Sequence, residues 1–546
     1  MAVIPLLNPE HLRFCYLQFA YPVTVLAFCI WLVRLVSLAF HSKLSRQTFV
    51  CSFIASLTIC ALIFQANHSE FRVFADEVEL LATSKAMYFD KGVSYQTTSY
   101  RDTTRARMSK SDFDIRPTLY PFIVHLFHHG LGYQPQNSIR ANGLICFLLL
   151  QAIFLFVSQF YGLGGALTAT LFVAAHPIVA LTATSGGYDL TSTFFLFLSL
   201  TLSYQVLQKR SPQLEALLEA TLVLLALTRF ESVLYSLIIG GFFCWSNVLT
   251  PKRGLFFLSP IFLALPVWLR FAKIEHPILR SETKLFSFES FLSNNLVFLK
   301  SLTSFGVETF PFSPALHLTG LFGLGLLGVK LFQQRKNISS STKMFALLLS
   351  TVSVTFWIII TAHFWSKITD PFVYRHYLPV TLVLSILALP AVVLVLRKLR
   401  ANLILASVLA LFVFVLSVPK AMQLTSMRNG RFAARYYQAL EYLKQSKQEK
   451  ILVIGAVPLQ YTVNGFDALD FLGANHQAQK IIELKQQKIY DRVFVVQTFY
   501  PTKQRIKNNE RLSKSLADRA VRHHEEVLEY YKRELDEPWL KISEII

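Results

Sequence analysis

Two adjacent carboxylates open a stretch that reads Phe74-Ala75-Asp76-Glu77-Val78-Glu79-Leu80-Leu81 and runs on to Lys85 and Tyr88. Such carboxylates can take a proton from an attacking group or hold a divalent cation. Phe74, Val78, Leu81, Lys85 and Tyr88 recur near one helical face, so a helix lying along an apolar boundary is expected, with both acids at its start. Acids at that position also simply complement a helix dipole. The cations that could face an anion are Arg116, ahead of two prolines in Arg116-Pro117-Thr118-Leu119-Tyr120-Pro121, then Arg229, and Arg375 in Tyr374-Arg375-His376-Tyr377-Leu378-Pro379. A guanidinium presents a fork of donors that matches a phosphate, although Arg and Tyr also serve as anchors at a membrane interface. Asp189, in Gly186-Gly187-Tyr188-Asp189, suits ligand contact or an N-cap, and Arg229 and Glu231 are close enough to pair. His125, His128 and His129 follow no metal-binding spacing.

The elements that must hold these residues are membrane helices. Only 16% of the 546 residues are charged and 53% are apolar, with 48 Phe, whereas a soluble domain carries about 25% charge. Twelve runs approach the length of about 20 residues that crosses a bilayer. They are Tyr16 to Phe40, Phe49 to Ala66, Asn142 to Phe160, Leu163 to Thr184, Leu190 to Gln205, Leu214 to Leu227, Ser232 to Leu249, Leu255 to Phe271, Pro314 to Phe332, Met344 to Phe364, Leu378 to Leu396 and Leu403 to Val418. The formal charge of +20 gathers in short alternate loops, as the positive-inside rule requires of cytoplasmic ones, and does not point to nucleic acid. The first run is followed by Arg and Lys and not by a small-residue cleavage site, which reads as an anchor. The six Cys lie in or beside apolar runs and form no metal or disulfide pattern.

The acids and arginines then fall on the opposite, extracytoplasmic side, in the loop 67–140, the turn at 185–189, the segment 273–312 and the loop 365–377. The tail beyond Pro419 is polar, with a helix expected over Arg431 to Lys444, strands over Ile451 to Ile454 and Val493 to Val496, and a charged helix around Arg511 to Glu534. The expected fold is therefore mainly α. It comprises N-terminal spans (1–66), a first extracytoplasmic loop with the acidic motif (67–140), a polytopic transmembrane helical bundle (141–418) and a small C-terminal extracytoplasmic α/β domain (419–546).

The order of Asp76-Glu77, Arg116-Pro117 with Leu119-Tyr120-Pro121, Tyr188-Asp189, Arg229-Phe230-Glu231 and Tyr374-Arg375 with Tyr377-Leu378-Pro379 resembles the GT-C superfamily of membrane glycosyltransferases. The protein O-mannosyltransferase and lipid A aminoarabinose transferase branch is the nearest likeness, over about Phe49 to Val418. The resemblance implies a polyprenyl- or dolichyl-phosphate sugar donor and an acceptor protein, lipid or glycan outside the cytoplasm, with inversion at the sugar carbon. It also implies an essential acid at Asp76, with Glu77 beside it, and places Asp189 at the second-loop acid. Arg116, Arg229, Arg375 and Tyr374 would bind the donor phosphate, Tyr188 and Asp189 the substrate, and a divalent metal could bridge Asp76 and Asp189. The membrane implied is a bacterial inner membrane with the site on its outer face, or the endoplasmic reticulum in a eukaryote. A transporter or lipid flippase is the rival from another class, and it calls for repeated halves and ionisable groups at the midplane.

Overall fold

The computed structural model describes residues 9–41, 45–101, 106–110, 116–246, 286–303, 313–334, 337–362, 373–398, 403–425, 434–446, 449–500, 505–506, 511–526 and 539–546. Seven of the described helices are long and apolar enough to cross a membrane, and the chain is an integral membrane protein. They are Leu17–Leu38, Arg46–Ala66, Asn137–Ala174, Asp189–Gln208, Pro314–Gln333, Ser340–Ala362 and Arg375–Leu396. Large apolar side chains such as Val33, Ile54, Phe322 and Val354 are exposed on them, as a hydrocarbon solvent permits.

The expected twelve runs map onto these helices unevenly. The third and fourth runs are two helical segments within Asn137–Ala174, separated at its non-helical residue Gly162 (φ 66°, ψ −172°), and the end of the fourth run forms the short helix Pro177–Ala183. That conformation is essentially restricted to glycine, which is why the uncharged Tyr161-Gly162 pair marks the break. The sixth and seventh runs form helices of 15 and 14 residues, Pro212–Ala226 and Ser232–Trp245. At 1.5 Å per residue each is about 22 Å long, short of a hydrocarbon core of about 30 Å. The run Leu255 to Phe271 lies outside the described residues, and Leu403–Thr425 carries the twelfth.

The chain divides into two units. The first comprises 1–70, 116–127 and 138–425 and contains all seven of those helices apart from the first residue, Asn137, of one of them. Its tightest helix pair is Pro314–Gln333 against Leu378–Lys398. A Cβ on Gly320 would stand 2.3 Å from the Leu384 carbonyl oxygen, and one on Gly323 would stand 1.7 Å from that of Leu387. Only glycine lets two backbones approach so closely.

The second unit comprises 71–115, 128–137 and 426–546. Its sheet has the strands β1 (Gln96–Arg101), β2 (Ala106–Lys110), β3 (Ile451–Gly455), β4 (Asp467–Leu469), β5 (Arg492–Tyr500), β6 (Arg505–Ile506), β7 (Ala520–Glu526) and β8 (Trp539–Ile545), in the order β2-β1-β4-β3-β5-β8-β7 with β6 on β5. The strands β4, β3 and β5 are parallel. Alternate residues of β3 feed opposite cores: Leu452 and Ile454 pack with the helices 471–476 and 478–486, and Ile451 and Val453 with the helix Ala434–Gln445. This two-faced burial explains the unbroken apolar run Ile451 to Ile454. Strand β1, from the first loop, pairs with β4 through Ser99 and Ala468, so loop and tail build one sheet.

Two expectations for this unit are corrected. The helix expected around Arg511 to Glu534 is, among described residues, a single turn at Lys514–Ala517 followed by strand β7. Pairing with β8, whose Leu540 and Ile542 are buried, overrides the helical preference of a charged sequence. The acidic helix, Phe74–Asp90, also forms, but its apolar face does not lie open for a membrane. Val78, Leu81, Ala82 and Ala86 pack against Tyr95, Leu459 and Val463, and Lys85 Nζ donates to the Thr462 carbonyl at 2.6 Å.

Candidate active site

Asp189, Arg229 and Arg375 meet in the first unit. Asp189 is the first residue of the helix Asp189–Gln208 and is 4% exposed. Its side chain makes ion pairs rather than a cap: Oδ1 accepts from Arg229 Nη1, and Oδ2 lies 3.5 Å from Arg375 Nη1. Arg229 Nε is 2.5 Å from Glu231 Oε1, the pair that their spacing suggested. The Arg229 guanidinium also lies 4.9 Å from the centroid of the Tyr188 ring, a cation–π contact. Burial works against the charge on Arg229, but Glu231 and Asp189 outweigh it and hold the pKa above its ordinary value.

Local structure explains why these groups converge. Asn142 Nδ2 donates to the carbonyls of Ser185 (2.7 Å) and Gly187 (2.8 Å), which fixes the turn that delivers Tyr188 and Asp189. The corner 227–231 joins the two short helices. Its Thr228 hydroxyl bonds to Ser232 Oγ at 3.0 Å, and Ser232 Oγ meets Ser192 Oγ at 3.0 Å on the Asp189 helix. Because those helices are short, the corner carries Arg229 to the buried start of a spanning helix. Arg375 comes from a 3-10 turn, Tyr374–Tyr377, that leads into Leu378–Lys398; Tyr374 opens that turn. Arg116 is half-buried, and the backbone beyond it is tied to the same corner by Leu119 N–H donating to the Leu227 carbonyl at 3.1 Å.

Between these groups is a recess of about 10 Å³, lined among others by Asp189, Ser192, Arg229, Glu231, Arg375 and His376. It has room for about one water. Two guanidiniums and two carboxylates make the quartet neutral overall, and both Asp189 oxygens face cations. Asp189 therefore does not fit a divalent metal, which two adjacent positive charges would repel. Among described residues no group of three or more His, Cys, Asp or Glu is placed to hold one.

Asp76 and Glu77 belong to the second unit, in the first turn of Phe74–Asp90. Asp76 is partly exposed, whereas Glu77 is buried and accepts from the backbone N–H groups of Arg72 (3.0 Å) and Val73 (3.2 Å). Glu77 thus closes the helix entry with both oxygens, as a capping carboxylate does. The histidines are structural in these contacts. His125 bonds the Tyr21 hydroxyl at 3.2 Å in the first unit. In the second, His128 Nδ1 accepts from Asn137 Nδ2 at 2.9 Å, which leaves Nε2–H to donate to Ser84 Oγ at 3.2 Å.

Among solved structures the chain is similar to ArnT from Cupriavidus metallidurans bound to undecaprenyl phosphate, with a TM-score of 0.53 and 12% identity over 92% of this chain and 99% of that one. The apo state of the same ArnT gives a TM-score of 0.54 and 12% identity over 90% and 97%. The chain shares the fold of that ArnT. No family model matches it, and no curated protein does either. Of the residues singled out in the sequence, the structure brings together Tyr188, Asp189, Arg229 and Arg375, and it sets beside them Asn142, Ser192 and His376, which were not singled out. Asn142 sits at the start of an apolar run, and a buried amide there was the signal that a turn needed holding.

Proposed function

We propose that the protein is a glycosyltransferase that moves a sugar from a polyprenyl- or dolichyl-phosphate donor to an acceptor on the extracytoplasmic face, with inversion at the sugar carbon. The observation that carries this reading is the pair of half-buried arginines, Arg229 and Arg375, converging on buried Asp189 in this fold. The ArnT structure with undecaprenyl phosphate supports a lipid carrier of that class.

The chemistry follows from charge. Breaking the bond between sugar C1 and phosphate oxygen puts positive charge on the ring and negative charge on the leaving phosphate, and the acceptor gives up a proton. Arg229 and Arg375, with Arg116 beside the corner, stabilise the leaving phosphate by charge-assisted hydrogen bonds. Asp76 takes the acceptor proton. Asp189 serves as the holder of the two arginines, and Tyr188 stacks under one of them. The recess is too small for a phosphate, so donor binding requires a side chain to move. Arg375, at 3.5 Å from Asp189, is the group that turns toward the donor. The metal implied by family resemblance has no support at Asp189, and no step here uses one.

Incubation of the purified protein with radiolabelled polyprenyl-phosphate sugars and candidate protein, lipid and glycan acceptors tests the proposal. Label appearing on an acceptor is the expected result. No transfer from any lipid-phosphate sugar, with protein that remains monodisperse, would overturn it.

A further inference from the structure

We propose that the helix Phe288–Thr303 is an interfacial helix: it lies along the bilayer surface with one stripe in the lipid, a second sector in water and a third against the protein. Its sequence, FESFLSNNLVFLKSLT, is too polar to cross a membrane. At about 100° per residue, Phe288, Leu299, Leu292 and Leu296 fall within roughly 80° of one another. All four are exposed, by 48% to 73%. Glu289, Lys300 and Ser293, also exposed, follow in the next sector at roughly 100° to 140°. Asn294 and Phe298 are buried and lie on the far side, at roughly 240° to 280°.

The protein-facing side shows where the helix rests. Ser287 N–H donates to the Ala362 carbonyl at 3.0 Å, Asn294 Nδ2 to the Thr361 carbonyl at 2.8 Å, and Trp357 Nε1 to Asn295 Oδ1 at 2.8 Å. Phe298 packs on Trp357, on His317 and on Tyr377, with centroids 4.7, 6.0 and 6.2 Å away. Ala362 ends one bilayer-length helix, His317 lies in the first turn of another, and Tyr377 sits beside Arg375 where a third begins. The helix therefore rests against three spans near their ends.

The occupant of the stripe is bilayer hydrocarbon. The two spans that the helix touches also expose large apolar side chains, Leu318, Leu321 and Phe322 on one and Val354 and Ile358 on the other, as a bilayer around all three elements requires. A helix with one apolar and one charged exposed sector is stable at a lipid boundary, where each sector meets its own solvent. Through Phe298 and Tyr377 this helix also sets the bilayer surface at the level of the Arg375 turn.

The test uses the full-length chain with its six native cysteines replaced, reconstituted in phosphatidylcholine nanodiscs. Leu296→Cys and Ser293→Cys, both at exposed positions, are labelled with an environment-sensitive fluorophore. Quenching by lipid spin-labelled near the headgroup should be several-fold stronger at 296 than at 293, and quenching by aqueous iodide the reverse. Equal quenching at the two positions would overturn the proposal. So would a label at 296 shielded from both quenchers together with a dimeric mass, which would assign the stripe to a second copy of the chain.

Discussion

Replacing Asp189 with Asn removes the carboxylate that both arginines face while keeping its size. Across the 3.5 Å contact to Arg375 the attraction is about 4 to 5 kcal/mol at an effective dielectric of 20. Desolvation offsets much of that in the intact protein, so the measurable quantity is the loss when one partner goes. For a buried pair this is about 3–5 kcal/mol. Arg229 keeps Glu231 at 2.5 Å, which puts the expected loss near the lower bound, about 3 kcal/mol. The two guanidiniums then repel each other, and the donor phosphate meets a splayed pair. Initial rates with the lipid donor should show KM raised about tenfold or more with kcat changed less, and thermal unfolding in detergent should move down by several degrees. An unchanged thermal midpoint and donor KM would refute the holding role. A fall in kcat of a hundredfold at constant KM would refute it differently, by making Asp189 a reacting group.

Asp76→Asn should lower transfer by about 10²- to 10⁴-fold, the range for a lost general base, while the protein still elutes as one species. Glu77→Gln should instead cost stability, about 1–3 kcal/mol, because a neutral amide replaces the carboxylate that takes two backbone N–H groups; size-exclusion and unfolding curves separate the two effects. Gly323→Val should prevent the helix Pro314–Gln333 from packing, since its Cβ would meet the Leu387 carbonyl oxygen at 1.7 Å, whereas Gly328→Ala, with nothing within 4 Å, should be silent in the same unfolding assay. Burial, opposed by a backbone hydrogen bond to Gly132, lowers the His128 pKa from 6.5 to about 4. The unfolded chain then binds the extra proton first, so stability is full above about pH 6.5 and falls as the pH drops toward 4; hydrogen exchange across the second unit should show this, and His128→Gln should flatten it.

The sequence by itself determined the solvent of this protein and singled out residues that the structure brings together at the candidate site. Low charge, long apolar runs and basic alternate loops are one-dimensional signals, because a bilayer imposes its thickness and sidedness on every crossing segment separately. Tyr188, Asp189, Arg229 and Arg375 were legible for the same reason: polar residues at the ends of apolar runs stand out. What they do to one another was not legible. The local signal offered Asp189 as an N-cap or a ligand contact, and only the packing of two short helices and a 3-10 turn brought two guanidiniums onto its oxygens. Glu77, expected beside Asp76 as an acid, takes two amides from the chain entering its helix, a contact that no local signal carries. The loop 67–140 and the tail read as separate pieces, since strand pairing between Ser99 and Ala468 joins residues hundreds of positions apart. A sheet's partners are chosen by where the whole chain runs, and that is decided in three dimensions.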